Sequence, residues 1–277
     1  MKLIFTTLIF QLLLSCNSAN NPLLTKVQTD TIKANYDKAL PDENFSINPT
    51  KLLKDFKTWY DYTYYNVRLS QDFIGLNIDS VEIDKITFLN KLMTEKVVAF
   101  KIKRLQGKLV YKLYKLDSND ESIKSTIKQL ASMELTNFKM EGKQIPRFNF
   151  TDLNGKTYNT YSTKGQIVIL KCWFIHCTAC VQEFPECNEM VDEYEDRNNI
   201  LFISLTSDTK INLERFLKTK ALRYAVIPEM DNYMTTKLNI NQYPTHLLID
   251  RTGKIIKVVN SIEELKPFLK KEIQKHV

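Results

Sequence analysis

Within KCWFIHCTAC, residues 171 to 180, stand three cysteines, a lysine and a histidine. Cys177 and Cys180 form a C-x-x-C pair, the spacing at which one thiolate can attack a disulfide and its neighbour can then displace it. With Cys172 the same stretch reads C-x4-C-x2-C, the spacing of plant-type iron–sulfur ligands. The intervening residues decide between these. Trp173, Phe174, Ile175 and His176 are bulky and continue an apolar run, so Cys172 belongs inside a strand, several ångströms of extended chain from Cys177. A structural zinc site fares no better, because it needs two well-spaced ligand pairs and only one is present. Cys187, seven residues after Cys180, lies about two helical turns away. The dithiol reading accounts for more of the residues. A strand running straight into a helix puts Cys177 at or just before the helix N-terminus, where unpaired N–H groups and the helix dipole favour a thiolate. Cys180, one turn in, faces inward and can attack a mixed disulfide formed on Cys177. Farther on, Tyr243-Pro244-Thr245 opens another apolar strand, and an X–Pro bond at such a turn is a candidate for the cis form.

The elements around this junction alternate. QIVILKCWF is an apolar, β-branched strand of the buried kind. Helix is expected over 178–195, kinked by Pro185, then strand in ILFISLTSD, helix in LERFLKTK and a short strand in YAVIP. THLLID and KIIKVVN form a hairpin across Arg251-Thr252-Gly253, and SIEELKPFLKKEIQKH closes the chain as a helix whose Ser261 and Glu264 fit a capping box. This is α/β with a mixed central sheet. The preceding stretch is of another kind. Helices are expected after Asn48-Pro49, from Ile83 to Met93, and through Ile123, Ile127 and Leu130, and two strands meet at Gln106-Gly107. That is a smaller α+β module with no catalytic constellation.

Composition bounds the rest. The chain has 277 residues, 43% hydrophobic and 26% charged, and suffices for two ordinary domains. Its net charge of +7 comes from 39 basic residues interspersed with 32 acidic ones, with no block suited to a nucleic-acid backbone. After Lys2, LIFTTLIFQLLL is too short to span the roughly 30 Å of membrane hydrocarbon and reads as the apolar part of a signal peptide. It ends in Leu13-Leu14-Ser15-Cys16, which resembles a bacterial lipobox. That implies cleavage before Cys16, a lipid on its sulfur, and a mature protein in the cell envelope facing the periplasm, where disulfides persist. Four cysteines then remain, all within 172–187. The expected organisation is a signal peptide over 1–15, a polar tether over 16–45, the α+β module over 46–140 and a second domain over 141–277.

WFIHCTAC, the following EFP at 183–185, and YPT before a strand that ends in an ID-x-x-G turn together resemble the thioredoxin fold. More narrowly they are similar to the membrane-anchored TlpA/ResA-type thiol–disulfide oxidoreductases. The resemblance covers about residues 142 to 277. It implies a thioredoxin-like domain that reduces protein disulfides, with Cys177 as nucleophile, Cys180 as resolving cysteine, and Pro244 as a cis-proline against which the client backbone lies. It also implies a disulfide-containing protein substrate, a thiol electron donor and no organic cofactor. Reduction is favoured by resemblance alone, since Thr178-Ala179 between the cysteines is not diagnostic.

Lys171 departs from the family, which carries aspartate or asparagine there. It is expected either to serve the Cys180 thiolate or a proton, or simply to pair with a carboxylate. Glu183 matches the acidic residue of the ResA-type C-x-x-C-x-x-E-F-P pattern, and a Lys171–Glu183 pair is expected to manage protons. Trp173, His176 and Tyr243 are expected at the client-facing surface, and His246 as a satisfied sheet histidine. Cys172 and Cys187 are expected to be small buried hydrophobes. A reading from another class is a thioredoxin-fold Cu(I) chaperone, using Cys177 and Cys180 with His176 or His246.

Overall fold

Short Asn and Asp side chains begin the helices of the first half, and the fold grows from those starts. In the computed structural model, which describes residues 42–117 and 120–275, the elements run β1 (Glu43–Asn44), α1 (Pro49–Leu52), α2 (Phe56–Asn66), β2 (Phe73–Leu76), β3 (Glu82–Ile83), α3 (Lys85–Thr94), β4 (Val97–Leu105), β5 (Lys108–Lys115) and α4 (Glu121–Met140). Asn48, Asp55, Asp84 and Asp120 cap the four helices, each accepting a backbone N–H from the first turn. Such a cap is worth about 1 kcal/mol. The hairpin at Gln106-Gly107 has positive φ at both residues, 49° and 76°, which matches the twist of the strands it joins. The strand order is β1-β4-β5-β2-β3, with β2 parallel to β5. Trp59, Phe88, Leu89, Phe100, Tyr111 and Ile123 belong to the core between this sheet and its helices.

The second half continues with β6 (Asn149–Thr151), β7 (Thr157–Asn159), β8 (Ile167–Trp173), α5 (Thr178–Gln182), α6 (Phe184–Glu193), β9 (Ile200–Thr206), α7 (Lys210–Phe216), β10 (Ala225–Ile227), a π-helical turn over Tyr233–Lys237, β11 (Thr245–Ile249), β12 (Ile255–Val259) and α8 (Ile262–Gln274). The sheet order is β10-β9-β8-β11-β12. Strands β8 to β10 are parallel, and β11 and β12 are antiparallel to their neighbours. This is the mixed sheet flanked by helices that the sequence implies. All seven residues of β8 are buried, as a central strand covered on both faces requires. One face packs against Cys180, Phe184, Cys187, Leu265 and Leu269. The other packs against Phe150, Tyr158, Met234 and Leu238.

Three local expectations need correction. The helix over 178–195 is two helices meeting at Glu183, because Pro185 in the first turn of α6 has no N–H to continue the ladder. The helix expected in LERFLKTK starts earlier, at Lys210, and stops at Phe216. The Ser261–Glu264 capping box is half formed. Ser261 Oγ accepts from Glu264 N at 3.3 Å, whereas the Glu264 carboxylate turns away to Ser70 Oγ, 2.8 Å distant.

That turn is one of several ties between the halves, and the described residues form one compact unit. Asn137 of α4 donates to Asn260 Oδ1 at 2.8 Å. Lys257, 2% exposed, pairs with Glu141 at 3.2 Å. Within the first half, Lys85 pairs with the buried Glu134 at 3.0 Å. Burial pushes the Glu134 carboxyl up to about 7 against the pull of Lys85. The leader, Cys16 and the tether up to residue 41 lie outside the described residues, and the end of the stretch expected as tether is folded, since Glu43–Asn44 pair with β4.

Candidate active site

The β8–α5 junction places the dithiol as the residue pattern requires. Cys177 is the N-cap of α5, and its Sγ accepts the Cys180 N–H at 3.2 Å. That N–H is one of the unpaired donors of a helix start, so in the reduced protein it stabilises a thiolate on Cys177. The two cysteines form a disulfide with Cα atoms 5.3 Å apart. Cys177 is 8% exposed and Cys180 is fully buried, so a client sulfur has access to the first and not the second. The loop before Cys177 is held by Asp208, whose Oδ2 accepts from Ile175 N at 2.8 Å and from Thr206 Oγ1 at 2.7 Å. Sequence reasoning passed over Asp208, and its position just beyond a buried strand was the available signal.

Across the junction, the Tyr243–Pro244 peptide bond is cis. The Pro244 carbonyl accepts from Asn260 Nδ2 at 3.0 Å, and the same amide donates to Thr245 Oγ1 at 3.1 Å. Tyr243 is half-buried, its ring edge-on to Phe174 with centroids 5.4 Å apart. His176 is exposed. Trp173 does not face clients. It is 0% exposed and packs edge-on against Phe184, because it shares strand parity with Ile167, Ile169 and Lys171 and so points into the helix-covered core. Cys172 and Cys187 are buried free thiols. Burial pushes them up to about 12 and about 11 respectively, which makes them inert near neutral pH.

Beneath the dithiol lies a group that sequence reasoning brought together only in part. Lys171 and His246 are directly paired in the β8–β11 register, and both are 0% exposed. Glu183, one turn after Cys180, reaches down to them. Its Oε2 accepts from Lys171 Nζ at 2.6 Å and lies 3.0 Å from His246 Nε2, and its Oε1 accepts from Ile262 N at 3.0 Å. Burial alone would raise this carboxyl. The His246 contact and the Lys171 ammonium hold it down to about 2. His246 is pushed down to about 4, first by burial and then by Lys171, so its imidazole is neutral. Its Nε2 is engaged, but its Nδ1 is buried and has no hydrogen-bond partner among the described residues. The expected satisfied histidine is therefore only half satisfied.

Glu183 also lines a cleft of about 780 Å³, together with Tyr60, Tyr64, Arg68 and Gln71 of the first half and Glu186 and Glu264 of the second. Among the described residues no group of three or more His, Cys, Asp or Glu side chains is arranged to hold a metal ion. Of the histidines proposed for Cu(I), His246 turns its Nε2 to Glu183 and Lys171.

With this geometry in place, comparison with known proteins defines the class. Residues 142–258 match the AhpC/TSA family. The thiol-disulfide oxidoreductase ResA of Bacillus thuringiensis subsp. konkukian (strain 97-27) is 33% identical over 138 residues, covering 48% of this chain and 79% of the relative. ResA of Bacillus subtilis (strain 168) is 28% identical over 119 residues, covering 43% and 66%. A solved thiol-disulfide oxidoreductase from Bacteroides fragilis NCTC 9343 is similar with a TM-score of 0.43 and 20% identity, over 47% of this chain and 98% of that one. The chain belongs to the thioredoxin-like, ResA-type family of thiol–disulfide oxidoreductases. The matches with ResA cover less than half of this chain.

Proposed function

We propose that this protein is a lipid-anchored reductase of protein disulfides outside the cytoplasm. The observation that carries the reading is the asymmetry of the dithiol. Cys177 is at the helix start, accessible, with an N–H directed at its sulfur, whereas Cys180 is buried one turn later. Cys177 thiolate attacks a client disulfide, a mixed disulfide forms, and the client's first sulfur leaves. Cys180 then attacks Cys177 Sγ, the Cys177–Cys180 bond forms, and the second client sulfur departs as a thiol. Two electrons pass from the dithiol to the client, and a thiol donor restores the reduced pair. Lys171 and Glu183 set the electrostatic surroundings in which Cys180 gives up its proton, and cis-Pro244 receives the client backbone.

The reduction potential of the Cys177–Cys180 pair tests the direction. Equilibration with glutathione or dithiothreitol is expected to place it near about −250 mV or lower, with thioredoxin-like reductases. A value above roughly −180 mV would reverse the electron flow. The anchor rests on the lipobox-like Leu13-Leu14-Ser15-Cys16. In cells, Cys16→Ala is expected to abolish palmitate incorporation and move the protein from the detergent phase to the aqueous phase, and unchanged partitioning would refute it.

A further inference from the structure

In the sheet register, His246, Lys171 and Ser204 stand side by side on three adjacent strands, on the face that also carries Ile169 and Trp173. Glu183 closes this polar row from above. The donors and acceptors leave little choice about which member can gain a proton. Glu183 already accepts from Lys171 and Ile262, and its Oε2 lies 3.0 Å from His246 Nε2, nearer than the Lys171 ammonium at 3.4 Å, so the imidazole turns an N–H to the carboxylate rather than a lone pair to Lys171. Lys171 is a cation with donors only. The neutral imidazole therefore carries its lone pair on Nδ1, which is buried and unpartnered among the described residues. It is the vacant base of the cluster.

We propose that His246 is a positioning residue for the resolving step, taking up a proton at Nδ1 as Cys180 ionises, so that the net charge of the buried site does not change. With Cys180 as a thiol, Lys171, Glu183 and neutral His246 sum to zero. A Cys180 thiolate would leave one uncompensated negative charge in a water-poor core, and a protonated His246 cancels it. Glu183, one turn from Cys180 and in contact with His246, links the two, and its exposed edge opens on the cleft shared with the first half. The proton given up by the thiol is held at Nδ1 while Cys180 attacks Cys177 Sγ. It leaves when the Cys177–Cys180 bond has formed and the client sulfur, departing as thiolate, takes up a proton.

The titratable groups facing His246 are Lys171 from β8 and Glu183 from the α5–α6 junction. Cys187 interacts with both Lys171 and Glu183, and Tyr224 with Cys187 and Glu183, and burial pushes both of these groups up. From β12 and α8 the neighbours Val259 and Ile262 are apolar. The inference rests on the dithiol assignment but not on the direction of electron flow, which the reduction potential tests separately.

The experiment uses Cys177→Ser protein, which leaves Cys180 as a thiol, labelled with 15N-histidine and 13Cβ-cysteine. The chain has three histidines, so the signals are assignable with His246→Gln. His246 is expected to show a neutral Nε2–H imidazole while Cys180 is a thiol, and to become doubly protonated across the pH interval in which the Cys180 Cβ shift reports ionisation. In Cys177→Ser/Cys180→Ala protein it is expected to stay neutral over that interval. A His246 that keeps its neutral tautomer while Cys180 ionises overturns the proposal. His246→Gln preserves a donor toward Glu183 but supplies no base. In otherwise native protein it is expected to slow resolution of a Cys177-linked mixed disulfide about tenfold at pH 7, equivalent to about one pKa unit on Cys180, with the first attack unchanged. An unchanged resolution rate and pH profile would likewise overturn it.

Discussion

Cys180→Ser protein will accumulate as a covalent adduct with its clients. Cys177 keeps its place at the N-cap of α5, and the substitution leaves in place the backbone N–H of position 180 that stabilises the attacking thiolate. The first exchange therefore proceeds. The second does not, because a serine hydroxyl has no accessible anion near neutral pH and does not displace sulfur, so turnover falls by roughly three orders of magnitude or more. Non-reducing electrophoresis should show high-molecular-weight species that collapse on adding dithiothreitol. Cys177→Ser protein should show none, since Cys180, Cys172 and Cys187 are all fully buried and the thiols of the last two are pushed far up. Adducts that persist without Cys177, or turnover that survives without Cys180, would refute the assigned order of the two thiols.

The second large effect concerns Lys171. Methionine fits its volume but removes the charge, and leaves the Glu183 carboxylate facing His246 with only the Ile262 N–H as a further donor. Breaking a buried ion pair from one side costs about 3–5 kcal/mol. For a body of this size that lowers Tm by on the order of 10 °C. The pH dependence separates lost charge from lost packing. In the native protein both neighbours are depressed, so their contributions are present at neutral pH and are lost on acidification. Stability falls as pH drops from 6.5 toward about 4 for His246, and from 4.5 toward about 2 for Glu183. Without Lys171 one of the influences depressing His246 is gone. The imidazole then charges at higher pH and supplies the missing cation, so the deficit of Lys171→Met should shrink as pH falls below neutral. Denaturant unfolding at several pH values measures this. A deficit that does not change with pH would mean that Lys171 serves only to fill space.

The redox half was legible because its signals are local. β8 and β9 are mostly apolar runs with several β-branched residues, Cys177 sits where such a run turns into a helix, and Pro244 announces its turn by type. Apart from β10 in YAVIP, the shortest strands were not legible. β2 is FIGL and β6 is NFT, too brief for alternation to register, and they exist because the β5 edge and β7 offer partners. The site splits in the same way. Glu183 was found through its place after the cysteines. Its contact with His246 depends on a β8–β11 pairing between residues 75 apart, which no local pattern encodes. Trp173 was misjudged for want of a parity count, since it lies two residues from Lys171 on an alternating strand and must share its face. The break at Glu183, read as a kink, also frees that residue from the regular helix and lets its carboxylate reach the N-terminus of α8.

The amide of Asn260 holds the Pro244 carbonyl, and its own oxygen is held by Asn137 from the long helix of the first half. The cis-proline turn, proposed above to receive the client, is thus braced by the first α+β module, which carries no cysteine. An excised redox half would keep its cysteines and lose the brace, leaving Asn260 Oδ1 to water. Client preferences measured on such a fragment would describe a looser instrument than the whole body. Any tilt of the helix carrying Asn137 would arrive at Pro244 through two side chains, so the first half is mechanically coupled to the turn beside the dithiol.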